Sequence, residues 1–248
     1  MSLERTALRL ATAMALSNGM QAPFPTIAQD RVYDSRMDPI EGLEERELVP
    51  LVLVYTDDDD NEALSNNNGG PPWRSTVNLV MELSVGMAAA GEGGLEVVPI
   101  TTEPELEAML DLLEEQVRRV FREPHGAWSR RLYDDHLVRI ESWSSSRFVE
   151  RDSNARLAVR QIVARVMLPQ PEEPAAAGVI PPPLGPLLET VITDGGPYAT
   201  SAQALADLLT DHGGFTPIAL PPLERVRLKE ADGGGGKRPD GVGEADLT

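Results

Sequence analysis

Asp57-Asp58-Asp59-Asp60-Asn61-Glu62 is the densest run of hard oxygen ligands in the chain, and a cation such as calcium, which takes roughly six to eight oxygens, is the chemistry it would suit. The run lacks the alternating ligand positions and central glycine of an EF-hand loop, so it reads as a solvated acidic loop. Joined by His125 or His136, the same aspartates would suit a metal-dependent hydrolase. His125, His136 and His212, however, lie far apart, and none belongs to a His-x-x-x-His pair. Asp134 and Asp135 are adjacent, so their side chains diverge, and no apolar pocket for acid–base work is implied around them. There is no Gly-x-Ser-x-Gly elbow, Walker A loop or dinucleotide fingerprint, and Gly91-Glu92-Gly93-Gly94 does not end in Lys-Ser/Thr. The absence of cysteine removes thiolate ligands and nucleophiles. These residues predict a protein without enzymatic activity, cofactor or metal.

The basic residues concentrate in one place. Arg118, Arg119 and Arg122 close a helix, with Arg130 and Arg131 just beyond, and the simplest role for the first three is to complement the helix dipole. A functional alternative is a subunit interface in which Arg118, Arg119 and Arg122 meet Asp57, Asp58, Asp59 and Asp60 of an identical neighbour. A chain with separated acidic and basic patches can join head to tail and close into a ring.

The elements that would carry these groups are partly legible. Leu3, Ala7, Leu8, Ala11, Met14 and Ala15 form a helical stripe, and Asn18-Gly19 supplies a left-handed stop. Pro23 to Pro39 reads as a loop with one short edge strand around Val32 and Tyr33. Leu48 to Thr56 is a nearly continuous apolar run, the pattern of a strand covered on both faces. Asp57 to Asn61 and Ser65 to Pro72 then read as a long hairpin loop, followed by strict alternation of Val77, Leu79, Met81, Leu83 and Val85 in a second strand. Gly86 to Gly94 reads as a flexible loop before the short run Leu95 to Ile100.

Thr102 and Glu105 form a capping-box pair ahead of a helix whose apolar face is Leu106, Met109, Leu110, Leu113, Val117, Val120 and Phe121, stopped by Pro124. Leu137 to Glu150 predicts one or two short strands around Ile140, Trp143 and Phe148. Ala155 to Leu168 fits either element, and its periodicity leans towards helix. After Pro169 the composition turns to Pro, Glu and Ala, then Pro181-Pro182-Pro183, a stiff linker. The expected organisation is therefore an α+β domain over 1–168 and a Pro/Gly-rich extension over 169–248, with short helices at Leu184 to Val191 and Ser201 to Asp211.

With 40 acidic and 22 basic residues the formal net charge is -18, which argues against binding in a duplex groove, and 4% aromatic content is low for stacking bases or sugars. No apolar run is long enough for a membrane span and the first residues lack a signal-peptide pattern, so synthesis in the cytoplasm is expected.

The order helix, Val32-Tyr33-Asp34-Ser35-Arg36, Pro50-Leu51-Val52-Leu53-Val54-Tyr55-Thr56, the alternating strand Thr76 to Gly86 and the helix Thr102 to Phe121 resembles tail-terminator (tail-completion) proteins of long-tailed bacteriophages and phage-like gene transfer agents, over roughly Leu3 to Leu168. The resemblance implies an α+β fold with a mainly antiparallel sheet packed by an N-terminal helix and a central amphipathic helix, and it makes Ala155 to Leu168 a strand. It implies a homohexameric ring that caps the tail tube, ends tail polymerisation and meets the head connector or adaptor. Its partners would be itself, the tail tube protein and the connector. DNA would only pass through the lumen, no membrane would be involved, and the protein would reside in the virion tail or neck after assembly in the host cytoplasm. An acidic ring suits such a channel, because like charge keeps DNA from sticking. Another neck protein, a head-completion or adaptor component, is the nearest alternative, and the metal-dependent hydrolase is the more distant one.

Overall fold

Helix α1 (Ser2–Ser17) ends because Asn18 and Gly19 take positive φ of 52° and 67°, and the Gly19 amide closes the terminus by donating to Met14 O at 2.8 Å. Further carbonyls of the last turn are satisfied by side chains, Ser17 Oγ on Ala13 O and Thr26 Oγ1 on Leu16 O. A Cβ at Gly19 would lie 2.3 Å from Trp128 Nε1, on a backbone that L residues rarely adopt. Gly19→Ala should therefore destabilise the fold by about 1–3 kcal/mol. An unchanged melting temperature would contradict this.

The computed structural model describes residues 2–35, 48–64, 73–91, 94–99, 103–149, 156–170 and 178–212. Strands β1 (Val32–Asp34), β2 (Leu48–Ala63), β3 (Trp73–Gly91), β4 (Gly94–Pro99), β5 (Arg139–Val149) and β6 (Arg156–Met167) form one sheet in the order β1-β2-β3-β6-β5, with β4 paired to the far end of β3. Among the described residues only β1 runs parallel to its neighbour, and every other pairing is antiparallel. Helices α2 (Pro104–Arg122), α3 (Ala127–Arg131), α4 (Leu184–Asp194) and α5 (Ala199–His212), together with a π turn (Leu132–His136), complete an α+β fold.

One sheet face carries the main core. Val52, Val54, Leu79, Met81, Leu83, Ile162, Ala164 and Val166 are buried there with Leu8, Ala11 and Met14 of α1 and with Leu106, Leu110, Leu113, Val117 and Phe121 of α2. The alternate residues Val49 and Leu51 are buried as well, so the first half of β2 is covered on both faces, as its unbroken apolar run demands. Leu184, Leu187, Leu188 and Val191 of α4 join the same core, and the compact unit runs from Met1 to Thr216. Tyr198 fastens this region to β1, its hydroxyl accepting from the Asp34 amide and donating to Val32 O, both at 2.9 Å.

Several sequence expectations are corrected. Asp57 to Asn61 is not a loop: β2 continues through Ala63, paired with Trp73 to Asn78, and a register shift at Asp57/Asp59 is accommodated at Asp58, whose φ is +43°. The ladder holds the backbone while side chains such as Asp60 and Glu62 stay in water, so charge does not oppose the strand. Ser65 to Pro72 lies outside the described residues. Gly86 to Gly91 belongs to β3 and pairs with β4, Gly91 opposite Gly94. Helix α2 starts at Pro104 with Glu103 as N-cap and no side-chain cap, so the Thr102–Glu105 box does not set its start, and Thr102 lies outside the described residues. Proline fits the first helical position because its missing N–H would have no partner there. Leu137 to Glu150 holds one long strand with bulges, and Ala155 to Leu168 holds β6, against the helical lean of its periodicity.

Candidate functional site

The hairpin of β2 and β3 places the acidic run on an exposed arm. Asp57, Asp58, Asp59, Asp60, Asn61 and Glu62 are all exposed in the second half of β2. Several are answered locally: Asn78 Nδ2 donates to Asp58 at 3.2 Å, Arg5 lies 4.0 Å from Asp59, Arg165 is 3.2 Å from Asp60, and Arg74 is 3.9 Å from Glu62. Leu64, just past the end of β2, is 57% exposed.

The arginines gather at the other feature, the C-terminal half of α2. The amphipathic pattern of α2 turns its apolar face to the sheet and leaves Arg119 and Arg122 in the last turn, where the dipole favours cations. Arg118 is held inward: its Nη2 is 2.7 Å from Glu114 Oε1, and its guanidinium lies 5.6 Å from the centre of the Trp143 ring. Arg119 is only 3.9 Å from Glu123, and Arg122 bonds to Glu115, both in exposed pairs. Arg130 donates to His125 O at 3.2 Å, whereas Arg131 stacks over Trp128 and bonds to Thr190 of α4. Within one chain the Asp57–Asp60 run and the Arg118/Arg119/Arg122 group stand on separate elements and take separate partners.

Between the turn after α1 and this end of α2 lies a cavity of about 420 Å³, whose lining includes Phe24, Pro25, Val120, Arg119, His125 and Ser129. The Ile27 amide donates to Gln116 Oε1 at 2.7 Å and ties the turn to the helix, while Asn18 Nδ2 donates to Gln21 O and Pro23 O and shapes it. His125 Nε2 is 3.3 Å from Glu123 Oε2 at the same mouth.

Behind α2 is a charged network. Arg160 of β6 faces inward with its side chain 9% exposed, and its guanidinium meets Asp111 at 2.6 Å, Glu114 at 2.8 Å and Glu107 at 3.1 Å. Arg147 adds a 2.8 Å contact to Glu107, and Ser145 Oγ donates to Glu114 at 2.9 Å. Burial pushes the Glu114 carboxyl up, but hydrogen bonds from Arg160, Arg118 and Ser145 outweigh it and hold the pKa below the usual value. Burial likewise works against the Arg160 cation, yet Glu114 and Asp111 raise its pKa on balance.

Neither a protein-family model nor a curated protein sequence significantly matches the chain.

Chemically, the arrangement can bind through charge and shape. Among the described residues no group of three or more His, Cys, Asp or Glu side chains is placed to hold a metal ion. His136 is buried in the core, 1% exposed, while the aspartates it would have joined sit on the hairpin arm. His125 is at the cavity mouth, and Asp134 and Asp135 lie in the π turn, Asp135 4.0 Å from Arg131. No described helix is long and apolar enough to cross a membrane. The cavity and Arg160 escaped the sequence reading, the former because its walls are distant in sequence. For Leu64 a signal was available, as a lone large apolar residue closing a run of acids.

Proposed function

We propose that this chain is a structural virion protein that forms a ring, caps the tail tube, ends tail polymerisation and joins the tail to the head connector. The observation that carries this reading is the separation of complementary charge on one chain: an exposed acidic hairpin arm, and exposed arginines at the end of α2. Complementary patches on different elements make a heterologous contact, which repeats head to tail and closes into a ring when the rotation permits. The α+β architecture with its mainly antiparallel sheet is the fold class that the tail-terminator resemblance implies. Activity then lies in assembly geometry rather than bond chemistry.

Charge reversal tests the reading. Arg119→Glu with Arg122→Glu should weaken self-association by about tenfold, roughly 1.4 kcal/mol, because like charges would then face each other across the joint. Reversing Asp60 and Glu62 to arginine in the same chain should restore it. Light scattering reads the oligomer mass, and negative-stain imaging with purified tail tubes reads capping of tube ends. An unchanged mass after the double reversal, or tube ends left bare, would remove the support.

A further inference from the structure

We propose that the free edge of β5 pairs antiparallel with the β5 edge of a second copy, about a two-fold axis at Ser145. A two-fold contact closes after two copies, so it is separate from the head-to-tail ring contact and does not rest on it. The two edges of the sheet differ. On the β1/β2 edge, outward backbone groups are occupied: the Tyr198 hydroxyl accepts from the Asp34 amide and donates to Val32 O, and Arg5 Nη2 donates to Thr56 O at 2.9 Å. The β5 edge has no such cover among the described residues. Leu168 N donates to Ser75 O, so alternate residues of β6 bond to β3, and those between, Gln161, Val163 and Arg165, bond to β5. Their partners are Ser146, Ser144 and Ser142, which leaves the amides and carbonyls of Trp143, Ser145 and Arg147 facing outward. These three are spaced symmetrically about Ser145, in the regular run between the bulges at Ile140/Ser142 and Arg147/Val149. Ser144, Ser145, Ser146 and Arg147 are exposed, and such an unpaired run of strand is a template for another.

The side chains select a second copy as the occupant. Trp143, Ser145 and Arg147 point to the α2 side, where they meet Arg118, Glu114 and Glu107. With the axis at Ser145, Arg147 of each strand lies opposite Trp143 of the other, on the same face, and Ser145 lies opposite Ser145. On the outer face Ser144 lies opposite Ser146. A cation therefore meets an aromatic ring twice, small hydroxyls fill the rest, and no like charges are opposed within the run. Arg147 is 47% exposed while paired with Glu107, so its charge is already answered and does not repel the second strand. Helix α2 lies mainly over β3 and β6, one strand in from the edge, so two copies can meet without their α2 helices colliding.

The chain contains no cysteine, so thiols can be placed one at a time. Full-length Ser144→Cys and Ser146→Cys proteins, carrying tags of different size and mixed under mild oxidation, should form the mixed disulfide. An opposed pair whose backbones are not bonded to each other brings its Cα atoms to about 4.5 Å, within disulfide reach. Because pairing raises the local thiol concentration, this product should form at least about tenfold faster than one between Ser144→Cys and Leu208→Cys, a control at an exposed residue of α5. It should also outrun either like pair, whose residues lie two positions out of register. Ser145→Pro, introduced into both partners, removes an outward N–H that the single chain does not use. It should slow the mixed disulfide at least about tenfold while circular dichroism stays that of the parent. Equal rates for the opposed pair and the control, or a like pair reacting as fast as the mixed one, would overturn the pairing. So would a folded Ser145→Pro chain that cross-links as fast as the parent.

Discussion

Replacing Arg160 by leucine should lower folding stability by about 3 kcal/mol, near the lower end of the range for breaking a buried ionic cluster. The arginine comes from the inner face of β6 and reaches three carboxylates of α2, so it joins helix to sheet through contacts of 2.6, 2.8 and 3.1 Å. Leucine would pack against the neighbouring core but leave Glu107 and Glu114, whose side chains are 19% and 10% exposed, without their shared cation. The loss stops short of the maximum because Glu107 keeps Arg147, and Glu114 keeps Arg118 and Ser145. Lysine at 160 should fall between, since one ammonium cannot reproduce the fork of a guanidinium. Adding Glu107→Gln and Glu114→Gln to Arg160→Leu should recover part of the loss, because uncompensated charge is then gone. Urea midpoints decide: a shift equivalent to less than about 1 kcal/mol for Arg160→Leu would mean the cluster is solvated and contributes little. The cluster also sets an acid limit. Glu114 has a lowered folded pKa, so its contribution is present above its ordinary value of 4.5 and is lost as pH falls below that.

Arg160 also explains where the sequence misleads. In β6 the inward positions are Ala158, Arg160, Ile162, Ala164 and Val166, and the outward Val159 is buried too. A strand with apolar residues on both faces and an ion-paired arginine pointing inward has no clean period of two, so its apolar positions also fit a helix. The β-branched content and two ladder partners decide for strand. Where period and end signals agree, as in α1 with Asn18-Gly19 and in the alternation of β3, the elements are legible directly. The acidic half of β2 misleads in the opposite sense, since composition alone suggests a loop while pairing to β3 forms strand. Helix α3 and the π turn are too short to show any period. The charged groups of the candidate joint are visible as residue types. The cavity is not, because the bond from Ile27 to Gln116 that builds its wall spans 89 residues.

Acid should destabilise the protein well above the carboxylate range, and His136 is the group responsible. Its ring is 1% exposed, and neither Nδ1 nor Nε2 has a hydrogen-bond partner among the described residues. Burial lowers its pKa to about 4, with the nearby Arg131 cation adding to the effect. The unfolded chain takes up the proton near the ordinary value of 6.5, so between pH 6.5 and 4 the unfolded state binds more protons than the folded one. Stability is therefore complete above pH 6.5 and declines as pH falls, by about 1.4 kcal/mol per unit and by about 3 kcal/mol in all. Below about 4 this term is exhausted, and the loss of Glu114 continues the decline. His136→Leu removes the titration along with two unpaired polar atoms, so it should match or exceed the parent at pH 7 and gain on it steadily down to pH 4. Arg131→Gln should raise the histidine pKa and so narrow the pH window and reduce the total loss, although it also removes contacts with Trp128 and Thr190. The π turn is tied to α2 by the Tyr133 hydroxyl on Phe121 O and packs beside α1. Denaturation curves from pH 7 to 4 for parent and His136→Leu provide the test. Parallel stability profiles would show that the imidazole reaches water, and would assign the acid sensitivity to the carboxylates alone.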